Sequence, residues 1–322
     1  MATLISDIAT LKSNFSGIDA NFSWASIKSF VEDAERDIIA DAIGDEAVTY
    51  FQENPNLNDA TFQKARSLIM RAEAYLSVLR WSQTAVFRMT DKSLYVAKSS
   101  DGAIISDKKL RDLRNYCEEN GYRYLDKAIA TMEGAIDTFA AYRDGEARQA
   151  TLQGFITTAA DFNAQRRIDN SRLTFISIGA MMLDAQDEYL PPVMGAAWYV
   201  DYKSRYISGG LTVAEKKLLP IIKKAVAFLT ISRACRELPV KVGAKGLLIN
   251  RYNNSNEYDQ QDPADAARAD FMVDDNQDKG QRKLDELKNF LVANATDYPD
   301  YIPPATPDVT ENDDPCSGIY SM

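Results

Sequence analysis

The chain has no histidine among its 322 residues. That removes Ser-His-Asp and Cys-His catalysis, histidine metal sites and the commonest general base. Cysteine is scarce: Cys117, Cys235 and Cys316 are odd in number and widely spaced. They form neither a disulfide framework nor a zinc motif, and they suit synthesis and assembly in a reducing cytoplasm. No GxxxxGK[ST] or GxGxxG loop is present; the GAKG near residue 245 lies between two β-prone runs and reads as a turn, not a phosphate cradle. The longest apolar runs, IGAMML and VAFLTI, are far too short to span a bilayer. The opening MATLISDIATLKSN lacks a charged region followed by an apolar core, so a signal peptide is not expected. Positive charge is in deficit, with 37 Lys and Arg against 47 Asp and Glu and a net charge of −10. Duplex contacts need a basic face, so nucleic-acid binding is disfavoured. Lys216, Lys217, Lys223, Lys224 and Arg233 fall on one predicted helix, where a solvated face is the simpler reading.

What the chain does have is a second copy of itself. Residues around 18–142 reappear around 168–301 in the same order. Ala34 and Gly44 match Ala185 and Gly195, since 185 − 34 and 195 − 44 both give 151. Lys64, Ala72, Leu76 and Arg80 match Lys217, Ala225, Leu229 and Arg233 at an offset of 153, and Gly121, Arg123, Leu125, Asp126 and Tyr142 match Gly280, Arg282, Leu284, Asp285 and Tyr301 at 159. The drift marks small insertions between elements, where loops tolerate them. A duplication this long points to a fold repeated as a unit.

Each copy carries one programme of elements. Ile27, Phe30, Val31, Ala34 and Ile38 share a helix face, with Gly44 as the stop; Phe175, Ile178, Met182 and Ala185 do so in the second copy, where Pro191 and Pro192 end or kink the helix. Asn58 or Asp59 caps a long helix over 60–87, and Thr212 caps its counterpart to about Leu238, with Pro220 inside the predicted interior. VFRMT-DKS-LYVA and LPVKV-GAKG-LLIN predict short hairpins. A closing helix follows over 107–142, and the second copy's stripe of Leu284, Leu287 and Leu291 ends before Pro299. The expected fold is mainly α: two tandem helical bundles, 1–148 and 149–301, each with a small β-hairpin, and an extended, acidic, Pro-rich C-terminal arm over 302–322. In the arm, Ile302, Val309, Ile319 and Tyr320 are candidate anchors for a neighbour. Trp198, Tyr199 and Tyr202 of WYVDY either pack in the core or form a partly exposed contact surface.

Two patterns invite a metal. Asp274, Asn276, Asp278 and Gly280 place oxygen ligands at alternate positions, as a calcium loop would, but the glycine comes one residue late and position twelve is Asp285, so a polar helix start is the preferred reading. Glu32, Asp33, Glu35 and Asp37 crowd one helix without singling out a pair and read as an acidic solvated face. No catalytic residue, cofactor or metal site is assigned.

The opening SIKSFVEDAERDIIADAIG, the capped long helix, the LPVKVGAKGLL hairpin and the closing helix together resemble the head–tail connector (head-completion adaptor) proteins of tailed phages, in a duplicated form from phages and prophages of gut Bacteroidetes. The resemblance implies a non-enzymatic virion protein at the head–tail interface, made in the host cytoplasm. It implies a homo-oligomeric ring between portal and tail, with the portal protein and other neck and tail proteins as partners. DNA would pass nearby without specific binding, and no membrane is involved. The C-terminal arm would dock on the portal or a neighbouring subunit. Most such adaptors carry one bundle, so the duplication leaves the ring's copy number open. A carboxylate-based metal-dependent enzyme and a helical scaffold unrelated to phages stand as alternatives.

Overall fold

The computed structural model describes residues 3–19, 21–84, 108–237 and 270–302, with the backbone alone of 87–90, 93–96, 107, 240–243, 246–249 and 263–269. It is mainly helical. The first half runs α1 (Ile8–Asn14), α2 (Lys28–Ala34), a π-helical turn (Glu35–Ile39), α3 (Ala40–Ile43), α4 (Asp45–Glu53), α5 (Ala60–Thr84), β1 (Phe87–Thr90), β2 (Ser93–Val96), α6 (Asp107–Gly134), α7 (Ala140–Asp144) and α8 (Glu146–Thr151). The second runs α9 (Ala159–Gln165), α10 (Arg172–Ser177), α11 (Gly179–Tyr189), α12 (Pro191–Met194), α13 (Ala196–Ile207), α14 (Val213–Lys216), α15 (Leu219–Glu237), β3 (Val240–Gly243), β4 (Gly246–Ile249) and α16 (Pro263–Ala293). β1 pairs antiparallel with β2, Phe87 opposite Val96, and β3 with β4, Val240 opposite Ile249.

Each half is organised on one antiparallel pair of long helices, α5 with α6 and α15 with α16. Most of a helix's stability in a protein comes from packing its apolar face, and here the buried stripe between the partners supplies it. In the first pair that stripe includes Phe62, Ile69, Ala72 and Leu76 against Leu125, Ala128 and Met132, all fully buried. In the second, Ile222, Ala225 and Leu229 meet Leu284, Leu287 and Leu291. Close approach is secured by a glycine in each pair: a Cβ on Gly121 would lie 2.7 Å from Leu76 Cγ, and one on Gly280 2.6 Å from Leu229 Cγ. Gly44 and Gly195 also share a role. Each ends one helix and starts the next at positive φ, +90° and +85°, which a side chain would strain.

Several boundaries differ from expectation for identifiable reasons. Asp59 Oδ1 caps α5 by accepting from Phe62 N at 2.6 Å. Thr212 closes a full capping box with Glu215, but the box serves the short α14. α15 then starts afresh at Leu219, which puts Pro220 in its first turn, where its missing N–H costs nothing. Pro191 and Pro192 likewise open α12. α6 stops at Gly134, and a 3₁₀ turn (Ile136–Thr138) intervenes before α7. α16 begins at Pro263, so Asp274, Asn276, Asp278 and Gly280 lie in a helix interior. This corrects both readings of that stretch: a helix points alternate residues in different directions and cannot wrap them round an ion, and the helix starts well before them.

The structural repeat also extends further toward the N-terminus than the sequence comparison reached. Leu4 N–H donates to Glu35 Oε2 at 2.7 Å, and Phe155 N–H donates to Gln186 Oε1 at 3.2 Å, both across a separation of 31 residues. Ile5 and Ile156 follow, fully buried. Asp7 then caps α1 through Thr10 N, as Thr158 caps α9 through Asp161 N.

Candidate interaction surfaces

The halves meet at a built joint. α10 of the second half lays its N-terminus on α6 of the first. Asp126 Oδ1 of α6 accepts from Arg172 N at 2.6 Å, Leu173 N at 3.2 Å and Ser171 Oγ at 3.2 Å. These are donors that a helix start leaves unsatisfied, and a carboxylate opposite them also complements the helix dipole. Arg172 Nε donates to Glu133 Oε2 at 3.2 Å. Leu173 and Ile176 pack against the first half's core. Ser171, the N-cap residue of α10, still accepts from Thr174 N through its own Oγ, so Asp126 supplies attachment between halves as well as capping.

A second feature lies on α13. Trp198, Tyr199 and Tyr202 are buried, at 6%, 5% and 0% exposure. Trp198 packs against Tyr298 and Tyr301, and Tyr202 donates its hydroxyl to Glu215 O at 2.9 Å. Tyr199 donates to Asp187, and burial first, then that bond, pushes its hydroxyl far above the ordinary phenol range. The aromatic residues thus anchor the helix, and what it turns to solvent is Val200 and Ile207, at 65% and 51% exposure. They border an open groove of about 610 Å³, lined also by Asp187, Tyr199, Lys203 and Ser204. Ile302, the first residue of the C-terminal arm, lies near this helix's start: it is exposed, and its carbonyl oxygen lies 3.3 Å from where a Cβ on Gly195 would sit. Val309, Ile319 and Tyr320 lie outside the described residues.

The basic helix residues do not form one stripe. Lys223 pairs with Asp161 at 2.6 Å, and Arg233 spreads over Asp184, Glu188 and Glu237, while Lys216, Lys217 and Lys224 are exposed. On the acidic helix, Glu32, Asp33 and Asp37 pair with Lys28, Arg36 and Arg80. Glu35 departs from that solvated face: it is buried and grips Leu4 N–H and Gln52 Nε2. Sequence reasoning missed its distinctness because three exposed neighbours share its charge and spacing. Among the described residues no three acidic, cysteine or histidine side chains gather as a metal site, and no helix is long and apolar enough to cross a membrane.

Residues 20–151 match a family of unknown function (DUF6712), and residues 190–311 match it again. The chain belongs to this family, and it carries the family's unit twice. α10, which makes the joint, lies between the two matched stretches. No curated protein and no solved structure matches the chain.

Proposed function

We propose that this chain is a non-enzymatic virion structural protein of a tailed phage, a head–tail connector that forms a ring between portal and tail and docks through its arm, residues 302–322. The observation that carries the reading is the joint: two copies of one helical unit are held in a fixed relation by Asp126, Glu133 and α10. Such a chain presents two similar surfaces at a set spacing, which suits heterologous contacts that close by rotation. Two further features support it. A net charge of −10 suits a channel wall to which DNA does not stick, and Ile302, the first residue of the arm, is 78% exposed. The portal and other neck or tail proteins are the partners in this reading.

Size-exclusion chromatography with light scattering, followed by electron microscopy of the same fractions, tests the proposal on the full chain and on a chain ending at Tyr301. The full chain is expected to give rings, alone or with a portal protein, and the truncated chain a folded protein that does not assemble. A full chain that stays monomeric with portal present, or a truncated chain that assembles normally, overturns it.

A further inference from the structure

The two N-terminal clamps differ in one chemical respect. Where the first half has Glu35, the second has Gln186 at the same offset of 151, and where α5 carries Glu73, α15 carries Val226 at the offset of 153. Glu73 is fully buried beneath the first clamp, and among the described residues neither carboxyl oxygen has a hydrogen-bond partner. It faces Ile5 N–H without closing a bond of normal geometry. Val226 is equally buried and asks for nothing. The first half therefore holds two buried carboxyl groups at a place where the second holds none.

We propose that the segment Thr3–Phe15 is a pH-sensitive latch on the first half, gated by the Glu35–Glu73 pair, and that the second half's equivalent segment is not. The latch consists of Leu4 N–H on Glu35, plus Leu4, Ile5, Leu11 and Phe15 seated on apolar surface that includes Val31, Ala74, Val78 and Cys117. The charged groups around the pair are few. Burial, then the charge of Glu35, hold the Glu73 carboxyl well above the usual range, against Ile5 N–H and Arg66 on its own helix. Burial likewise raises Glu35; Leu4 N–H, Gln52 of α4 and the amino terminus oppose this, and Glu32 adds to it. A buried carboxylate without partners is costly, so the closed latch keeps the proton. The open latch admits water, and the group then ionises as an ordinary glutamate. The open state thus binds fewer protons than the closed one, so opening is favoured as pH rises. For one such group the opening equilibrium grows about tenfold per pH unit between the ordinary carboxyl pKa and the raised one, and levels off above it.

Hydrogen exchange of the full chain measures this with its own control, because residues 3–15 and 155–165 make the same clamp in one molecule. After correction for intrinsic exchange, protection of 3–15 is expected to fall about tenfold per pH unit above roughly pH 5 while that of 155–165 stays level. Glu73→Val and Glu73→Gln, which install the second half's apolar residue or a neutral isostere, are expected to flatten the first curve and raise its protection at neutral pH. Thiol labelling gives a second readout: Cys117 lies under the latch, so at one alkaline pH it is expected to react more slowly in Glu73→Val than in the parent chain. Equal pH dependence of the two segments in the parent chain overturns the proposal, and so does a dependence that survives Glu73→Val combined with Glu35→Gln. Neither readout depends on ring assembly.

Discussion

Replacing Asp126 tests the joint and the duplication together. Its Oδ1 serves two backbone N–H groups and the Ser171 hydroxyl, and its side chain is 24% exposed. Asp126→Ala leaves the start of α10 without its acceptor across the joint. Hydrogen bonds to a charged group contribute about 1.5–3 kcal/mol, and the carboxylate's interaction with a helix start adds about 0.3–1 kcal/mol. Water reaches part of the site and Ser171 keeps its own capping bond, so the loss is expected near 2–3 kcal/mol, not the full sum. Asp126→Asn keeps an acceptor and loses the charge, and about 1 kcal/mol is expected. The control is built into the chain: Asp285 is the counterpart of Asp126, but it is exposed, and among the described residues it accepts from Gln281 at 3.2 Å and from no backbone N–H. Asp285→Ala should stay within about 0.5 kcal/mol of the parent. Urea unfolding of the three variants gives the stabilities, and hydrogen exchange over 171–177 shows whether α10 loosens from α6. If Asp126→Ala and Asp285→Ala cost the same, the joint is not held as described.

Two further substitutions follow from the packing. Gly121→Ala and Gly280→Ala should each destabilise the chain, by about 1–3 kcal/mol in thermal unfolding, although alanine is the better helix former; the added methyl would have to displace Leu76 or Leu229. Thr212→Ala removes the capping box of α14 and should cost about 1 kcal/mol by the same measurement, with little effect on α15, which starts independently at Leu219.

The parts of this fold that were legible in the sequence are those fixed by local rules. Gly44 as a helix stop, Asp59 and Thr212 as caps, and the stripes at steps of three and four depend on residues a turn apart. The misses come from contacts that span the chain or from patterns with two meanings. The Leu4–Glu35 clamp joins residues 31 positions apart, and its second copy preserves apolar character more than identity: Phe155 stands for Leu4, and Thr158 for Asp7. α16 begins earlier than expected because the leucine stripe that marks it, Leu284, Leu287 and Leu291, lies in its second half. The aromatic cluster of α13 resolves by helix geometry: Trp198 and Tyr202, four apart, turn inward together with Tyr199, while Val200 is left outside. Asp126 gave no signal of its own, since Asp285 repeats it and made it look like a landmark of the duplication.

That repetition invites the idea that one chain's second half receives the next chain's first half as its own first half receives α10. The residues on both sides argue against it. Asp285 retains the acceptor, but the counterpart of Glu133 is Val292, at 55% exposure, and the counterpart of Arg172 is Asn21. The ion pair that accompanies Asp126 therefore has neither partner in a contact between chains. The segment equivalent to α10 is also engaged at home: Phe22 packs edge-on against Trp81, and Trp24 packs on the first half's own core. Releasing it would give up apolar contacts already made, at about 25 cal/mol for each Å² returned to water. The joint is thus specialised for a single use within each chain. In the proposed ring, contacts between chains therefore have to use other surfaces, and the exposed Val200 and Ile207 on the open groove of α13 are one apolar pair in the second half that could serve.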